Sequence, residues 1–283
     1  MTKQGWDPAE YQLLDFGRGR KLESFGGKVL DRLCPTADGK LPSKAAGWRS
    51  DLRLETKHRG EFRLPQVRWN GLRFQLRLTP FGHVGLFPEQ WQNWQWMQQF
   101  VQSVLPNVPQ ALNLFGYTGG STLALSSVGA SVTHVDSSQP AVRWARQNAE
   151  LSGCEGNSIR WIVEDARKYV RREIKRGKQY DIVVLDPPSF GHGTKGDRWD
   201  ISRDLNILLE DIVQLLKDSS CPALVFSAHS TDPNEKDVAQ VLQRLFASHF
   251  ARPFLVQQER LKLIDARGRF LDAGFCVRMQ LAS

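Results

Sequence analysis

Ala111-Leu112-Asn113-Leu114-Phe115-Gly116-Tyr117-Thr118-Gly119-Gly120-Ser121-Thr122 reads as an apolar strand that breaks into a glycine-rich bend and re-enters a helix. Glycines at such a bend let the backbone approach a ligand closely and turn into the next element. Working outward, the alternation repeats. Apolar strands are expected at Ala111–Phe115, Ser131–Asp136, Ser158–Val163, Asp181–Asp186 and Ala223–Ser227. Helices fall between and after them, at about Gly120–Ser127, Gln139–Ser152, Ala166–Arg176, Ser202–Lys217 and Asn234–Phe246. Strands separated by helices of this length imply βαβ units and a parallel sheet covered on both faces. The tail differs: Phe254–Glu259 and Phe275–Leu281 are strand-like runs joined by Asp265-Ala266-Arg267-Gly268, with no convincing helix between. The expected fold is therefore α/β, a doubly wound, mostly parallel, seven-stranded sheet ending in an antiparallel pair, with a smaller β-rich N-terminal domain.

In an open parallel sheet, ligands bind beyond the carboxyl ends of the strands. The first strand ends in the bend just quoted. The second ends in Asp136, followed by Ser137, where a carboxylate can accept both hydroxyls of a ribose. The third is followed by Glu164-Asp165, another acid placed to face an adenine amine, and the fourth by Asp186-Pro187-Pro188-Ser189-Phe190, a rigid turn exposing carbonyls. Each has an ordinary alternative: a Gly-rich turn is normal strand-to-helix geometry, and Asp136 or Asp165 could simply cap the helix that follows. The fourfold coincidence, in order at successive strand ends, is much harder to obtain by chance.

The chain changes character near Leu105-Pro106-Asn107, which divides it into a first domain, 1–105, ending in a connecting helix, and a second, 106–283. In the first, Gly71-Leu72-Arg73-Phe74-Gln75-Leu76-Arg77-Leu78 alternates with period two, a half-buried strand with one basic face. Asn70-Gly71 makes Arg63 to Leu78 a hairpin. A helix is expected over about Trp91–Val104; its tryptophans Trp91, Trp94 and Trp96 suit core packing better than base stacking. The net charge of +8 is uneven: residues 1–105 hold 16 basic and 10 acidic side chains, residues 106–283 hold 22 and 20. A basic surplus speaks to polyanion affinity, not to fold. No apolar run reaches the roughly 18 residues that span a bilayer, and the start lacks the apolar core of a secretion signal. Cys34, Cys154, Cys221 and Cys276 are too scattered for a metal knuckle or disulfide framework, so no metal is expected and the reducing cytoplasm is the expected setting.

The order of Phe-Gly-Tyr-Thr-Gly-Gly, Val135-Asp136, Glu164-Asp165 and Asp186-Pro187-Pro188 resembles the class I S-adenosylmethionine-dependent methyltransferases. Tyr117 with Gly119-Gly120, Asp136-Ser137-Ser138-Gln139 to Ala145-Arg146-Gln147-Asn148, and the Asp186–Phe190 turn are similar to the bacterial large-subunit (23S) rRNA methyltransferase group. The resemblance covers about residues 60–283; residues 1–60 do not look like the small RNA-binding module some members carry at their start. It implies a Rossmann-like catalytic domain that binds S-adenosylmethionine, and RNA, most naturally ribosomal, as substrate. It implies that Asn113 and the loop Phe115, Gly116, Tyr117, Thr118, Gly119 and Gly120 cradle the cofactor, with Asp136 and Ser137 at the ribose and Asp165 at the adenine. Asp186, Pro187, Pro188, Ser189 and Phe190 would flank the methyl group and its acceptor, and Phe87 and Gln90 would close over the cofactor from the amino-terminal side.

Methylating C5 of a pyrimidine requires a thiolate to add to C6 first. In the group it resembles, that thiol comes from the turn after strand four or from just after strand five. Here those positions hold Ser189 and Phe226-Ser227-Ala228-His229-Ser230, while Cys221 precedes its strand, so a nitrogen acceptor and direct in-line transfer are expected. His229 is expected to be bonded locally rather than catalytic. The basic run Arg167 to Lys178 reads as a solvated face before it reads as a phosphate contact. The loop Asp15 to Lys21 suits a hairpin turn as well as a phosphate site. Three other functions fit parts of the pattern. A protein or small-molecule methyltransferase keeps every cofactor motif. An NAD-dependent oxidoreductase lacks a contiguous Gly-x-Gly-x-x-Gly here. A non-catalytic RNA-binding module would tolerate loss of the pocket. Monomer and homodimer stay open.

Overall fold

The computed structural model describes residues 5–43, 47–55, 62–80, 82–104, 107–192, 198–229 and 233–282. The contacts divide the chain into two compact units, one of residues 1–92 with 261–273 and one of residues 93–260 with 274–283. Leu105 and Pro106, where the sequence changes character, and Ser230 lie outside the described residues.

The first unit is built on strands. β1 (Tyr11–Gly17), β2 (Arg20–Phe25), β3 (Lys28–Leu33) and β4 (Leu52–Arg53) form one sheet in that order. β5 (Gln66–Trp69) and β6 (Leu72–Gln75) form an antiparallel hairpin turned by Asn70 and Gly71, as the alternation predicts. The Asp15–Lys21 stretch is a hairpin turn. Arg20 bonds Asp31 at 2.5 Å, Lys21 lies 3.1 Å from Glu23, and Asp15 accepts from the Ser43 N–H and the Trp48 indole. Asp15 also pairs with Arg269, and Asp265 aligns with Leu13 in a β-bridge, so 261–273 packs with this unit.

The second unit begins in α1 (Trp91–Val104), whose first two residues belong to the first unit. There follow β7 (Gln110–Leu114), α2 (Gly120–Ser126), β8 (Ser131–Asp136), α3 (Gln139–Leu151), β9 (Ile159–Val163), α4 (Ala166–Lys175) and β10 (Ile182–Leu185). A short hairpin, β11 (Phe190–His192) and β12 (Arg198–Asp200), leads into α5 (Ile201–Leu216), β13 (Ala223–Ala228), α6 (Glu235–His249), β14 (Phe254–Ile264) and β15 (Phe270–Leu281). The sheet order is β14-β15-β13-β10-β7-β8-β9, with β15 antiparallel to β13 and the five strands from β13 to β9 parallel. This is the expected seven-stranded sheet. β14 and β15 run longer than the apolar runs suggest, because Leu261, Leu263 and Leu271 at their turn end are buried.

The parallel strands are apolar on both faces because helices cover both. Leu112, Leu114, Val183, Leu185, Leu224 and Phe226 form one core with Leu208, Leu209, Ile212 and Val213 of α5 and Leu242 of α6. The chain runs from β7 outward through β8 and β9, then returns to β10 on the other side of β7. That reversal opens a crevice at the carboxyl ends of β7 and β10, where ligands of this fold class bind. Trp94 is buried in this unit, and a Cβ on Gly120 would lie 2.6 Å from its ring, so this tryptophan packs against the bend after β7.

Candidate active site

The bend after β7 is held from four sides. At its start, the buried Asn113 amide donates to Thr122 Oγ1 at 2.8 Å, and Thr122 Oγ1 lies 2.8 Å from His134 Nδ1. Thr122 Oγ1 thus ties the start of the bend to His134. Burial, aided by nearby Arg146, pushes its pKa down to about 3, which keeps it neutral. The imidazole occupies the space a side chain at Gly116 would need: a Cβ there would sit 2.5 Å from the ring. Further along, the Tyr117 N–H donates to Asp136 Oδ2 at 2.8 Å and the Thr118 carbonyl accepts from Asn148 at 2.9 Å. Gly119 sits at φ 91°, where an added Cβ would meet Ala145 at 3.0 Å. Phe115 and Tyr117 hold φ of 55° and 46°, costly for residues with side chains and stable only when the surroundings over-determine them. The bonds to Asp136 and Asn148 supply that constraint.

Asp136 does not cap α3; Ser138 does, its hydroxyl accepting from the Ala141 N–H. The Asp136 carboxylate instead accepts one backbone N–H on each oxygen, from Tyr117 and from Ser138, both at 2.8 Å. Each oxygen keeps an acceptor direction, which matches a pair of vicinal hydroxyls. Burial raises its pKa above the ordinary carboxylate value against the pull of those two N–H groups. Ser137, beside it, is half-buried. Asp165 does cap its helix, accepting from Arg167 N at 3.0 Å and Lys168 N at 3.2 Å. It also receives the Arg167 guanidinium, and despite its partial burial these bonds hold its pKa below the usual value. Its Oδ2 takes one bond from Arg167 at 2.9 Å and has room for a second donor.

After β10, Asp186 is half-buried and Pro187 buried, while Pro188, Ser189 and Phe190 are exposed, Phe190 to 72%. The turn is tied down by groups that the sequence did not flag. The Trp199 indole donates to the Pro188 carbonyl at 2.7 Å, and the Ile201 N–H donates to the Ser189 carbonyl at 3.0 Å. Trp199 is buried, its ring 4.9 Å from that of Phe115, with the Arg167 guanidinium 5.8 Å above it. Arg167 bridges Asp165 to Asp204 at 2.7 Å. One side chain on β12 thus touches the bend after β7, the turn after β10 and the arginine in the first turn of α4. Asp200, at the end of β12, caps α5, its side chain accepting from the Ser202 N–H.

The other candidates separate. Phe87 and Gln90 belong to the first unit, where Phe87 packs edge-on against His83 at 5.6 Å and Gln90 is buried. His229 is exposed at the end of β13. In the basic run, Arg167, Arg171, Arg172 and Arg176 carry partners in Asp165, Asp211, Glu164 and Glu173. The antiparallel register sets Cys276 of β15 directly opposite Ser227, near the carboxyl end of β13. This cysteine is fully buried, and burial pushes its thiol up to about 12. Cys221 precedes β13, at the opposite end of that strand. Among the described residues no group of His, Cys, Asp and Glu could hold a metal ion, and no helix is long and apolar enough to cross a membrane.

The donor set fits a nucleoside-containing cofactor with an amine and a vicinal diol: Asp136 for the diol, the spare acceptor capacity of Asp165 for the amine, and a bend held open at Gly119. A family model described as S-adenosylmethionine-dependent methyltransferase matches residues 39–226. The ribosomal RNA large subunit methyltransferase K/L of Shewanella baltica is 33% identical over 159 residues, which is 56% of this chain but 21% of that protein. The ribosomal RNA large subunit methyltransferase I of Aeromonas salmonicida is 34% identical over 125 residues, 44% of this chain and 30% of that one. The chain therefore matches less than a third of the length of these relatives. The crystal structure of a SAM-dependent methyltransferase from Agrobacterium tumefaciens superposes with a TM-score of 0.87 at 31% identity, covering 95% of this chain and 89% of that one. With the four strand-end motifs standing around one crevice, the chain belongs to the S-adenosylmethionine-dependent methyltransferase family, with S-adenosylmethionine as its cofactor.

Proposed function

We propose that this enzyme methylates a base of ribosomal RNA at a nitrogen atom, by direct in-line transfer without a cysteine adduct. The observation that carries the acceptor chemistry is the state of the cysteines. The thiol nearest the carboxyl end of β13, Cys276, is sealed in the sheet and held protonated, so it is a poor nucleophile. A ring nitrogen or exocyclic amine brings its own lone pair and needs no such adduct. Bound S-adenosylmethionine supplies an already activated methyl group on a sulfonium, so the protein's part is alignment and exclusion of water.

In this reading Asn113 shapes the bend from behind, and the Phe115–Gly120 backbone cradles the methionine portion. Asp136 with Ser137 orients the ribose, and Asp165 takes the adenine amine. Asp186, Pro187, Pro188 and Ser189 line the acceptor, with the exposed Phe190 ring beside them. RNA as substrate is supported by the names of the relatives and by the basic surplus of residues 1–105, which act as the substrate-binding domain. Acting on ribosomal RNA would set it in the cytoplasm.

The test is mass mapping of methylated nucleosides in rRNA from cells with and without the gene. Loss of one nitrogen-methylated nucleoside is expected. An unchanged pattern removes RNA as the substrate, and loss of a carbon-methylated pyrimidine removes the direct-transfer chemistry. Cys276→Ser should keep methylation of the same rRNA within a few fold; its abolition in a folded variant would point to a covalent step.

A further inference from the structure

We infer that Asp204 on α5 is a positioning residue for methyl transfer: it locks the carboxylate that faces the adenine and the turn that lines the acceptor into one rigid piece. The inference rests on the proposed site, in which Asp165 takes the adenine amine and the turn from Asp186 to Ser189 lines the acceptor. Asp204 is buried, and donors converge on it from three residues. Its Oδ2 accepts from Arg167 Nη1 at 2.7 Å, Arg203 Nη2 at 2.8 Å and the Asp200 N–H at 3.0 Å. Its Oδ1 accepts from Arg203 Nε at 2.9 Å. A carboxylate offers about four acceptor directions, so Asp204 acts through these neighbours and not on a ligand.

On the cofactor side, Arg167 spans two carboxylates. Its Nε and Nη2 grip Asp165 Oδ1 and Oδ2 at 3.2 and 2.9 Å, and its Nη1 reaches Asp204. Arg167 follows Asp165 closely at the start of α4, so these two side chains alone could swing as a pair. Asp204 comes from another helix and fixes the planar guanidinium fork in space. The plane of the Asp165 carboxylate is thereby set, and with it the direction of the remaining acceptor position on Oδ2.

On the acceptor side, the same carboxylate holds β12 at both ends. It takes the Asp200 N–H directly, while Arg203, gripped by both Asp204 oxygens, donates Nη2 to the Arg198 carbonyl at 2.7 Å. Between Arg198 and Asp200 stands Trp199, whose indole holds the Pro188 carbonyl, and just after them Ile201, whose N–H holds the Ser189 carbonyl. A carboxylate serving only its own helix needs a first-turn position and a backbone N–H. Arg167 is the surplus, and it leads to the adenine side. The bonds from Arg203, Asp200 and Arg167 bring the Asp204 pKa down to about 2 against the cost of burial, so the lock stays charged at neutral pH. In-line transfer suits such a frame, because a misplacement of about 1 Å can cost on the order of 100-fold in rate.

The experiment uses the full chain with S-adenosylhomocysteine and S-inosylhomocysteine as probes, whose bases differ in an amine against a carbonyl. By calorimetry, wild-type protein should bind the adenine form at least about tenfold more tightly, because a site built for a hydrogen bond rejects the analogue that lacks the donor. Asp204→Asn keeps the shape and removes the charge. It should weaken the adenine form about fivefold and leave the inosine form within about twofold. Hydrogen exchange at the Ile201 N–H should slow about fivefold when wild-type protein binds S-adenosylhomocysteine, and the variant should lose that protection. Arg167→Lys should reproduce both losses, since an ammonium cannot grip Asp165 bidentately while reaching Asp204. If Asp204→Asn does not fold, Arg167→Lys carries the test. Equal weakening of the two probes, or undiminished protection of Ile201, overturns the inference and leaves Asp204 a helix-end carboxylate. Wild-type protein that binds both probes equally removes Asp165 from the adenine, so the proposed site itself fails and the inference with it.

Discussion

Two stretches of this molecule look alike as charge and differ as structure. α4 with its flanks carries Arg167, Arg171, Arg172 and Arg176; the β5–β6 hairpin and its flanks carry Arg63, Arg68, Arg73 and Arg77. Every arginine of the first set meets a carboxylate from its own helix or a neighbouring element, at 2.5 to 3.2 Å. The second set lies in a segment with no carboxylate of its own, and two of its members face each other across a strand pair. The first set is consumed by the fold: Arg167 joins Asp165, after β9, to α5 through Asp204, whose bonds to Arg203 and Arg167 bring its pKa down to about 2. The second set is exposed. Net charge does not distinguish the two; the placement of acids does.

The largest effect should come from reversing charge in each place by the same amount. Arg68→Glu/Arg73→Glu is expected to weaken binding of an RNA hairpin by about 100-fold or more near 0.1 M salt, roughly 2.7 kcal/mol. Lys175→Glu/Lys178→Glu, on exposed positions at the end of α4, should change it by less than about threefold. Equal losses measured by fluorescence anisotropy would mean that RNA responds only to net charge, and the contrast between the two regions would collapse.

Asp136 carries the same distinction into the site, since its carboxylate is held by the backbone yet keeps capacity for a ligand. Asp136→Ala should weaken S-adenosylmethionine binding by about 1 to 3 kcal/mol by calorimetry, with RNA-hairpin affinity unchanged. The pH dependence has two opposite signs. Because burial raises this pKa, ionising the group costs fold stability, a contribution complete below the unfolded pKa and lost as pH rises through the folded one. Cofactor binding needs the ionised form to accept two hydroxyl protons. Affinity should therefore fall as pH drops through the raised pKa, beginning at a higher pH than an ordinary aspartate would allow. Binding that stays flat until pH falls below the ordinary carboxylate range would remove Asp136 from the ribose site.

A smaller effect is expected at Trp199. Trp199→Phe keeps an aromatic ring against Phe115 but removes the N–H that holds the Pro188 carbonyl, a bond contributing about 1 kcal/mol. Turnover should drop about fivefold while the cofactor dissociation constant stays within twofold. Equal loss in both would make Trp199 a general packing residue.

These contrasts also mark what could be read in advance. The parallel strands were legible to within a residue or so because buried β-strands between amphipathic helices leave a clear apolar pattern, and the strand-end motifs followed from counting along it. The β1–β3 hairpins were not, since buried Asp15, Glu23, Asp31 and Arg32 interrupt the alternation and find partners on other strands and turns. Trp199 was invisible because its role lies in three contacts that only the folded crevice assembles. The place of Cys276 was hidden too, because only antiparallel register sets it opposite Ser227. Ownership of charge was hidden for the same reason: Asp204 and Asp211 reach the α4 arginines from another helix.

The smallest effect tests the paired side of the comparison. Arg171 lies 3.2 Å from Asp211, with Arg171 more than half exposed and Asp211 about a fifth exposed. Water and salt screen such a pair, and exposed ion pairs typically contribute less than about 1 kcal/mol. Arg171→Gln should therefore lower stability by no more than about 0.5 kcal/mol in urea unfolding and leave the RNA salt slope within error of wild type. The two readouts divide the possibilities. A larger stability loss with an unchanged slope means that Arg171 is more deeply tied into the α4–α5 packing than its exposure indicates, which strengthens the view that this arginine set serves the fold. A flattened slope means that an arginine with a carboxylate partner still contacts phosphate, and then partner placement no longer tells a structural cation from a binding one.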